Sequence, residues 1–233
     1  MKTKLICLLS AVYLMAFGMM SAADTKPTLV VQAVQTDDAD AYTTLLAKAN
    51  GLIKARTGIE KLRHAWTGDF AGENSHGTFV VSQYDSAAAV EAVNAKLKDY
   101  PEMTAVLAEF KKIRHLGPSY LYKAVRYEGM YEGGAVFNTG MVCTDEAAYA
   151  SALDGLKAIL DANGFKDAKL NLWRIIAGRS TTTHLVVLAL PTSARVGELL
   201  DALSDKQLLK DWSVGAAKIR TTVNNGTYHE ITK

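Results

Sequence analysis

The sequence predicts an α+β protein built from two tandem βαββαβ repeats, and three observations carry that reading. The chain matches itself when displaced by 107 positions, each half shows the same order of strand-like and helix-like patterns, and a short junction separates the halves. Self-similarity at a fixed offset comes first, because a missed repeat misreads the whole fold. At this displacement Asp38 meets Asp145, Ala41 meets Ala148, Tyr42 meets Tyr149, Leu46 meets Leu153 and Ala55 meets Ala162. Trp66 meets Trp173, two of only three tryptophans in the chain. Further on, Val80 meets Val187, Ser86 meets Ser193 and Ala87 meets Ala194, so the alignment reads as gapless.

The elements follow in order. TLVVQAV (28–34) is a short β-rich run. DADAYTTLLAKANGLIKARTG (38–58) carries apolar residues at helical spacing behind an acidic first turn and ends near a glycine. KLRHAWTG (61–68) and GTFVVSQY (77–84) read as a hairpin joined by the turn-rich AGENSH. Helix resumes from Ser86, with Pro101 opening a second short helix instead of sitting inside one, and SYLYKAV (119–125) closes the unit. The second half repeats the order: GAVFNTGMV (134–142), a helix to about Gly164, AKLNLWRII (168–176), THLVVLAL (183–190), a helical region from Ser193 to Ile219, then TTV and TYHEI. Asn225-Gly226 is a hairpin-turn dipeptide and predicts a split or doubled-back final strand; with Thr227 it also matches a glycosylation acceptor. The boundaries drawn are 24–127 for the first repeat and 128–233 for the second.

Residues 1–23 have a different character. Two lysines, an apolar run from Leu5 to Met20 and then small residues are the order of a secretory signal peptide, with cleavage expected after Ala22 or Ala23. The expected destination is the periplasm or the exterior. The chain carries 26 Lys+Arg and 24 Asp+Glu, and loss of Lys2 and Lys4 with the signal brings the counts level. A neutral mature surface offers no electrostatic footprint for nucleic acid or an anionic membrane. Cys143 is the one cysteine left, so no intrachain disulfide forms and stability rests on a conventional core.

A βαββαβ unit forms an antiparallel sheet with both helices on one face. Its other face must find a partner. Two copies on one chain can bring those faces together as a barrel-like layer inside a shell of helices. In this the chain resembles the dimeric α/β-barrel superfamily of ferredoxin-like domains, among them antibiotic-biosynthesis-monooxygenase-like domains, with both barrel halves in a single chain. The resemblance covers 28–231 as pattern and topology, and no family motif carries over residue by residue. It implies a fold of two ferredoxin-like repeats packed as an intramolecular dimeric α/β-barrel. It also implies, as one activity, a cofactor-independent oxygenase whose substrate supplies the reducing power. Duplicated ferredoxin-like units occur too in the chlorite-dismutase and dye-decolourising-peroxidase families, where an axial histidine is expected on a helix of the second half. The helices there contain none, so no cofactor is expected.

In a strand, residues i and i+2 share a face. Leu62, His64 and Trp66 therefore lie together, as do Lys169, Asn171 and Trp173. The expectation is a pocket between the sheets with Trp66 and Trp173 as pseudo-symmetric walls and His64 and Asn171 as unequal polar groups, the two catalytic candidates. Gln32 and Thr139 interrupt apolar runs and are expected to face the same space, with Tyr120 and Tyr122 lining it. Arg174 is a candidate for holding an anionic group. No zinc-type spacing, nucleophile elbow or phosphate loop occurs, and the acidic neighbours of Cys143 argue against a reactive thiolate. The first expectation is thus an exported protein that binds a small apolar or aromatic molecule between its sheets. A monooxygenase-like enzyme and a non-catalytic interaction module with a solid core stand as alternatives, and association into homo-oligomers stays open.

Overall fold

The computed structural model describes residues 26–60, 62–71, 77–204 and 209–232. The expected signal segment, 1–23, lies outside the described residues, as does most of the AGENSH turn. The first half runs β1 (Thr28–Gln35), α1 (Ala39–Thr57), β2 (Arg63–Phe70), β3 (Thr78–Tyr84), α2 (Ala87–Lys98), α3 (Pro101–Ile113) and β4 (His115–Arg126). The second runs β5 (Ala135–Cys143), α4 (Glu146–Ala162), β6 (Lys169–Ala177), β7 (His184–Leu190), α5 (Ser193–Ser204), α6 (Lys210–Ala216) and β8 (Arg220–Glu230).

Matching local chemistry builds matching elements. Asp38 and Asp145 cap α1 and α4 alike, each carboxylate accepting the N–H of the residue three positions on, Ala41 at 2.8 Å and Ala148 at 2.9 Å. Such a cap satisfies one of the free N–H groups at a helix start and contributes about 1 kcal/mol. Tyr42 and Leu46 of α1, like Tyr149 and Leu153 of α4, are buried against the sheet. Gly58 ends α1 at φ 79°, a left-handed position that a side chain would strain.

The eight strands close a barrel in the order β1-β3-β2-β8-β5-β7-β6-β4. Within each half the order is the ferredoxin-like one, fourth-first-third-second. The halves join edge to edge through two antiparallel seams, β2 with β8 and β4 with β6. Closure pairs each of these strands on both sides, so among the described residues no strand edge is left for a second chain to complete. It also sorts the apolar residues into three cores: one under the helices of each half, and one inside the barrel that includes Trp66, Tyr122, Val136, Trp173, Val187 and Tyr228. The structure is the expected α+β fold, two ferredoxin-like repeats packed as an intramolecular dimeric α/β-barrel.

Two expectations are corrected. The final strand is neither split nor doubled back: Asn225 and Gly226 lie inside β8, opposite Thr139 and Asn138, because pairing with β5 holds this dipeptide extended and β2 joins the strand from Thr227 onward. The offset is not constant either. It is 107 through β2 and β6, where Arg63 corresponds to Leu170 and Trp66 to Trp173. Beyond the hairpin it is 106: Ser82 occupies in β3 the place of Leu188 in β7, and Tyr122 in β4 that of Tyr228 in β8. The second copy's hairpin connection is one residue shorter. Val80 accordingly faces the helices while Val187 faces the barrel, and the cap equivalent to Ser86 is Thr192, whose hydroxyl accepts the Arg195 N–H.

Candidate functional site

The barrel encloses a cavity of about 550 Å³ rather than solid packing. Its walls come from alternate residues of the strands, as period two requires: Leu29 and Val31 of β1, Trp66 of β2, Tyr120 and Tyr122 of β4, Trp173 of β6 and Tyr228 of β8. Trp66 and Trp173 share the cavity, as do His64, Tyr120 and Tyr122. Burial pushes the Tyr122 hydroxyl well above the usual tyrosine range, so it stays a neutral donor and acceptor there. Two polar atoms in this lining are buried without a hydrogen-bond partner among the described residues, the Trp173 Nε1 and the Asn138 Oδ1. An orphaned donor and an orphaned acceptor are costly unless something in the cavity meets them.

His64 has the most developed environment. Its Nδ1 lies 2.7 Å from the Glu230 Oε1, and the other oxygen of that carboxylate accepts the Gly133 N–H at 2.7 Å. The Glu230 side chain is only 1% exposed and that of His64 27%. A carboxylate on Nδ1 fixes the tautomer and orientation of an imidazole and leaves Nε2 as its free ring nitrogen. The sequence did not single out Glu230. It comes from the last strand, 166 residues away, and meets His64 only because β2 pairs with β8 at the seam. Glu230 corresponds to Ala124 in the other half, just as His64 corresponds to Asn171.

Asn171 departs from expectation. It is fully buried and spends its amide on the junction between halves: Oδ1 accepts the N–H groups of Glu128 (2.8 Å) and Gly129 (3.3 Å), and Nδ2 donates to the Gly129 carbonyl (3.0 Å). That junction must cross the barrel end to carry the chain from β4 to β5, and further bonds hold it there. Tyr131 donates to the Asp167 carbonyl, and Lys169 donates to the Met130 carbonyl with its ammonium 3.8 Å from the centre of the Tyr131 ring. Asn171 is therefore a clamp on the junction rather than a free polar group in the cavity.

Gln32, Thr139 and Arg174 are not brought to the cavity. Gln32 lies on the helix-facing side of β1 and donates to the Gly117 carbonyl at 2.7 Å. Thr139 is its counterpart on β5, between the cavity-lining Asn138 and Gly140. Both sit mid-strand, half-buried, on the face turned away from the barrel interior. Arg174 points outward and pairs with Glu146, which also binds the Nε2 of buried His184 at 2.8 Å. Burial, with Glu146 and Asp145 nearby, pushes the Cys143 thiol up, which disfavours a thiolate. Among the described residues no cluster of three or more His, Cys, Asp or Glu side chains forms. No described helix is long and apolar enough to cross a membrane.

No family model matches the chain, and no curated protein does. Solved structures do. A provisionally assigned monooxygenase from Lactobacillus acidophilus NCFM is similar with a TM-score of 0.55 at 9% identity, over 88% of this chain and 94% of that one. A haem-binding protein from Thermus thermophilus gives 0.53 at 9%, over 88% and 91%. An anthrone oxidase-like protein gives 0.50 at 16%, over 91% and 94%. The class that fold and site define is a single-chain, duplicated dimeric α/β-barrel with an open, aromatic-walled interior. At these identities the likeness is one of architecture alone.

Haem can be tested against the residues present. In the second half the layer between helices and sheet is filled by Leu153, Leu160, Leu170, Leu188 and Leu190, all buried. Its histidine, His184, has one ring nitrogen on Glu146 and the other on Thr183. That layer fits no haem.

Proposed function

We propose that the protein binds a small aromatic molecule carrying at least one polar oxygen inside the barrel. The open cavity with its unpartnered Trp173 Nε1 and Asn138 Oδ1 carries this reading. Pockets of this size with aromatic walls and few polar groups bury most of a small ligand and orient it through those groups. A hydroxyl or carbonyl oxygen accepts from the indole, and a hydroxyl donates to the amide oxygen. The test is tryptophan fluorescence and thermal shift of the mature chain against a panel of phenols and naphthols. Binders are expected to raise Tm in proportion to RT ln(1 + [L]/Kd). Val187→Trp, which fills the cavity, is expected to abolish the response. A panel without binders, or equal binding by Val187→Trp, overturns the reading.

The His64–Glu230 pair favours a second reading, a cofactor-independent oxygenase of the kind the monooxygenase-like fold supports. His64 Nε2 takes a proton from a bound phenol, and the resulting anion supplies electrons to dioxygen. His64→Gln should then keep ligand binding and stop substrate-dependent oxygen uptake; undiminished uptake excludes the role. We further propose that residues 1–23 direct export, in which case protein recovered from the periplasm or medium begins at Ala23 or Asp24.

A further inference from the structure

On the opposite side of the first half's sheet, beneath α1, α2 and α3, lies a second, smaller cavity of about 210 Å³. Its polar lining includes Arg63 of β2, Ser82 and Tyr84 of β3, Asn94 of α2 and Arg114 at the end of α3. The rest is apolar, including Leu46, Val80 and Val90. Two guanidinium groups therefore line one small cavity, and neither forms an ion pair with a carboxylate among the described residues. Arg114 donates one long bond, 3.4 Å, to the Tyr42 hydroxyl and stacks over Phe110. The Arg63 guanidinium has no hydrogen-bond partner among the described residues. Its main chain is fixed by Asn50, which accepts from its N–H at 3.1 Å and donates to its carbonyl at 2.8 Å. Burial lowers the Arg63 pKa, and the charge on Arg114 acts in the same direction. Arginine nevertheless stays protonated in proteins, so the cavity holds uncompensated positive charge.

The second half shows this layer packed by apolar side chains. In the registers above, Arg63, Ser82 and Tyr84 correspond to Leu170, Leu188 and Leu190, all buried in a closed core, and Asn94 corresponds to Leu200. Arg114 corresponds to Arg220, which lies over the Tyr149 and Trp212 rings. Four leucines suffice to seal the layer. The first half keeps a polar, cationic cavity in their place, at a cost in burial that a packed core avoids.

We infer that this cavity is a binding site for a small organic carboxylate, with Arg63 and Arg114 taking the carboxylate and the apolar wall taking a short hydrocarbon or aromatic body. Guanidinium groups match carboxylates in charge and in the spacing of their N–H donors. Ser82, Tyr84 and Asn94 add hydrogen-bonding capacity around the anion. The site is distinct from the barrel interior, which lies across the sheet.

The test is titration calorimetry and thermal shift of the mature chain at constant ionic strength, with butyrate, hexanoate, benzoate and inorganic phosphate as probes. Hexanoate or benzoate is expected to bind and raise Tm. Arg63→Leu, which installs the second half's residue, is expected to fold and to bind at least about tenfold more weakly. Arg63→Gln gives the same readout should the leucine variant fail to fold. His64→Gln, altered only in the barrel, is expected to bind the carboxylates as the parent does. Absence of carboxylate binding overturns the assignment, as does undiminished binding by both Arg63 variants. Phosphate binding as tight as that of the carboxylates overturns the organic ligand class, and loss of carboxylate binding in His64→Gln places the ligand in the barrel instead.

Discussion

The two halves share a fold and differ in where they place polar groups. On the barrel side, the first half presents His64 and the second presents Asn171. On the helix side, the first half keeps Arg63, Ser82, Tyr84 and Asn94 where the second has leucines. Every one of these differences leaves the first half open and the second closed: Asn171 is consumed by the junction and Leu170 by its core. In one chain each copy can diverge separately, as two identical subunits cannot. On the helix side the second half is packed and the first keeps a cavity, while the barrel cavity is walled by both.

The largest way to break this comparison is to exchange the residues. Leu170→Arg puts the first half's cation into the closed layer, and burying that unpaired charge should cost about 3–5 kcal/mol in chemical denaturation. Arg63→Leu should be neutral or stabilising. Similar losses in both would show that the halves are equally packed.

A smaller effect is expected at the junction. Asn171→Ala strips partners from two N–H groups and one carbonyl, and should lower stability by about 2 kcal/mol while speeding amide exchange at Glu128 and Gly129. His64→Gln should cost less, about 1 kcal/mol, because the new amide can still donate to Glu230. The pair sharpens the contrast: the clamp is felt in stability, the histidine in ligand chemistry.

The smallest effect is electrostatic and belongs to the second half alone. Arg195 donates to both oxygens of Asp167, at 3.0 and 2.7 Å, and these hydrogen bonds hold that carboxyl below its usual pKa. A depressed folded-state value stabilises above the unfolded pKa and loses that contribution as pH falls through the folded one. Asp167→Asn should therefore be slightly less stable than the parent near pH 6, with the two converging as pH falls through the lowered folded-state pKa of Asp167. A constant difference across that range would assign the effect to packing.

Much of the architecture was legible in the chain. The acidic caps, the helical spacing behind them and the paired tryptophans define two copies of one unit, and β2 and β6 keep their offset. The offset slips by one where the hairpin shortens, and with period-two side chains a slip of one reverses the face. That is why Val80 and Val187, matched in sequence, look opposite ways. Gln32 and Thr139 were misplaced for a related reason: a polar residue in an apolar run shows an interruption but not the face it lies on. The Asn225-Gly226 dipeptide was misread because local turn propensity yields to a continuous ladder with β5.

By itself, then, the sequence determined the repeat, the order of elements and the stripe bearing His64 and Trp66, because caps, periodicity and rare residues act over a few neighbours. Only the tertiary structure decided which groups meet. Glu230 reaches His64 across a seam, Asn171 meets a junction 43 residues before it, and Arg63 and Arg114 come together beneath three helices. Hydrogen bonds and charges act over a few ångströms in space, and barrel closure sets those distances between segments far apart along the chain.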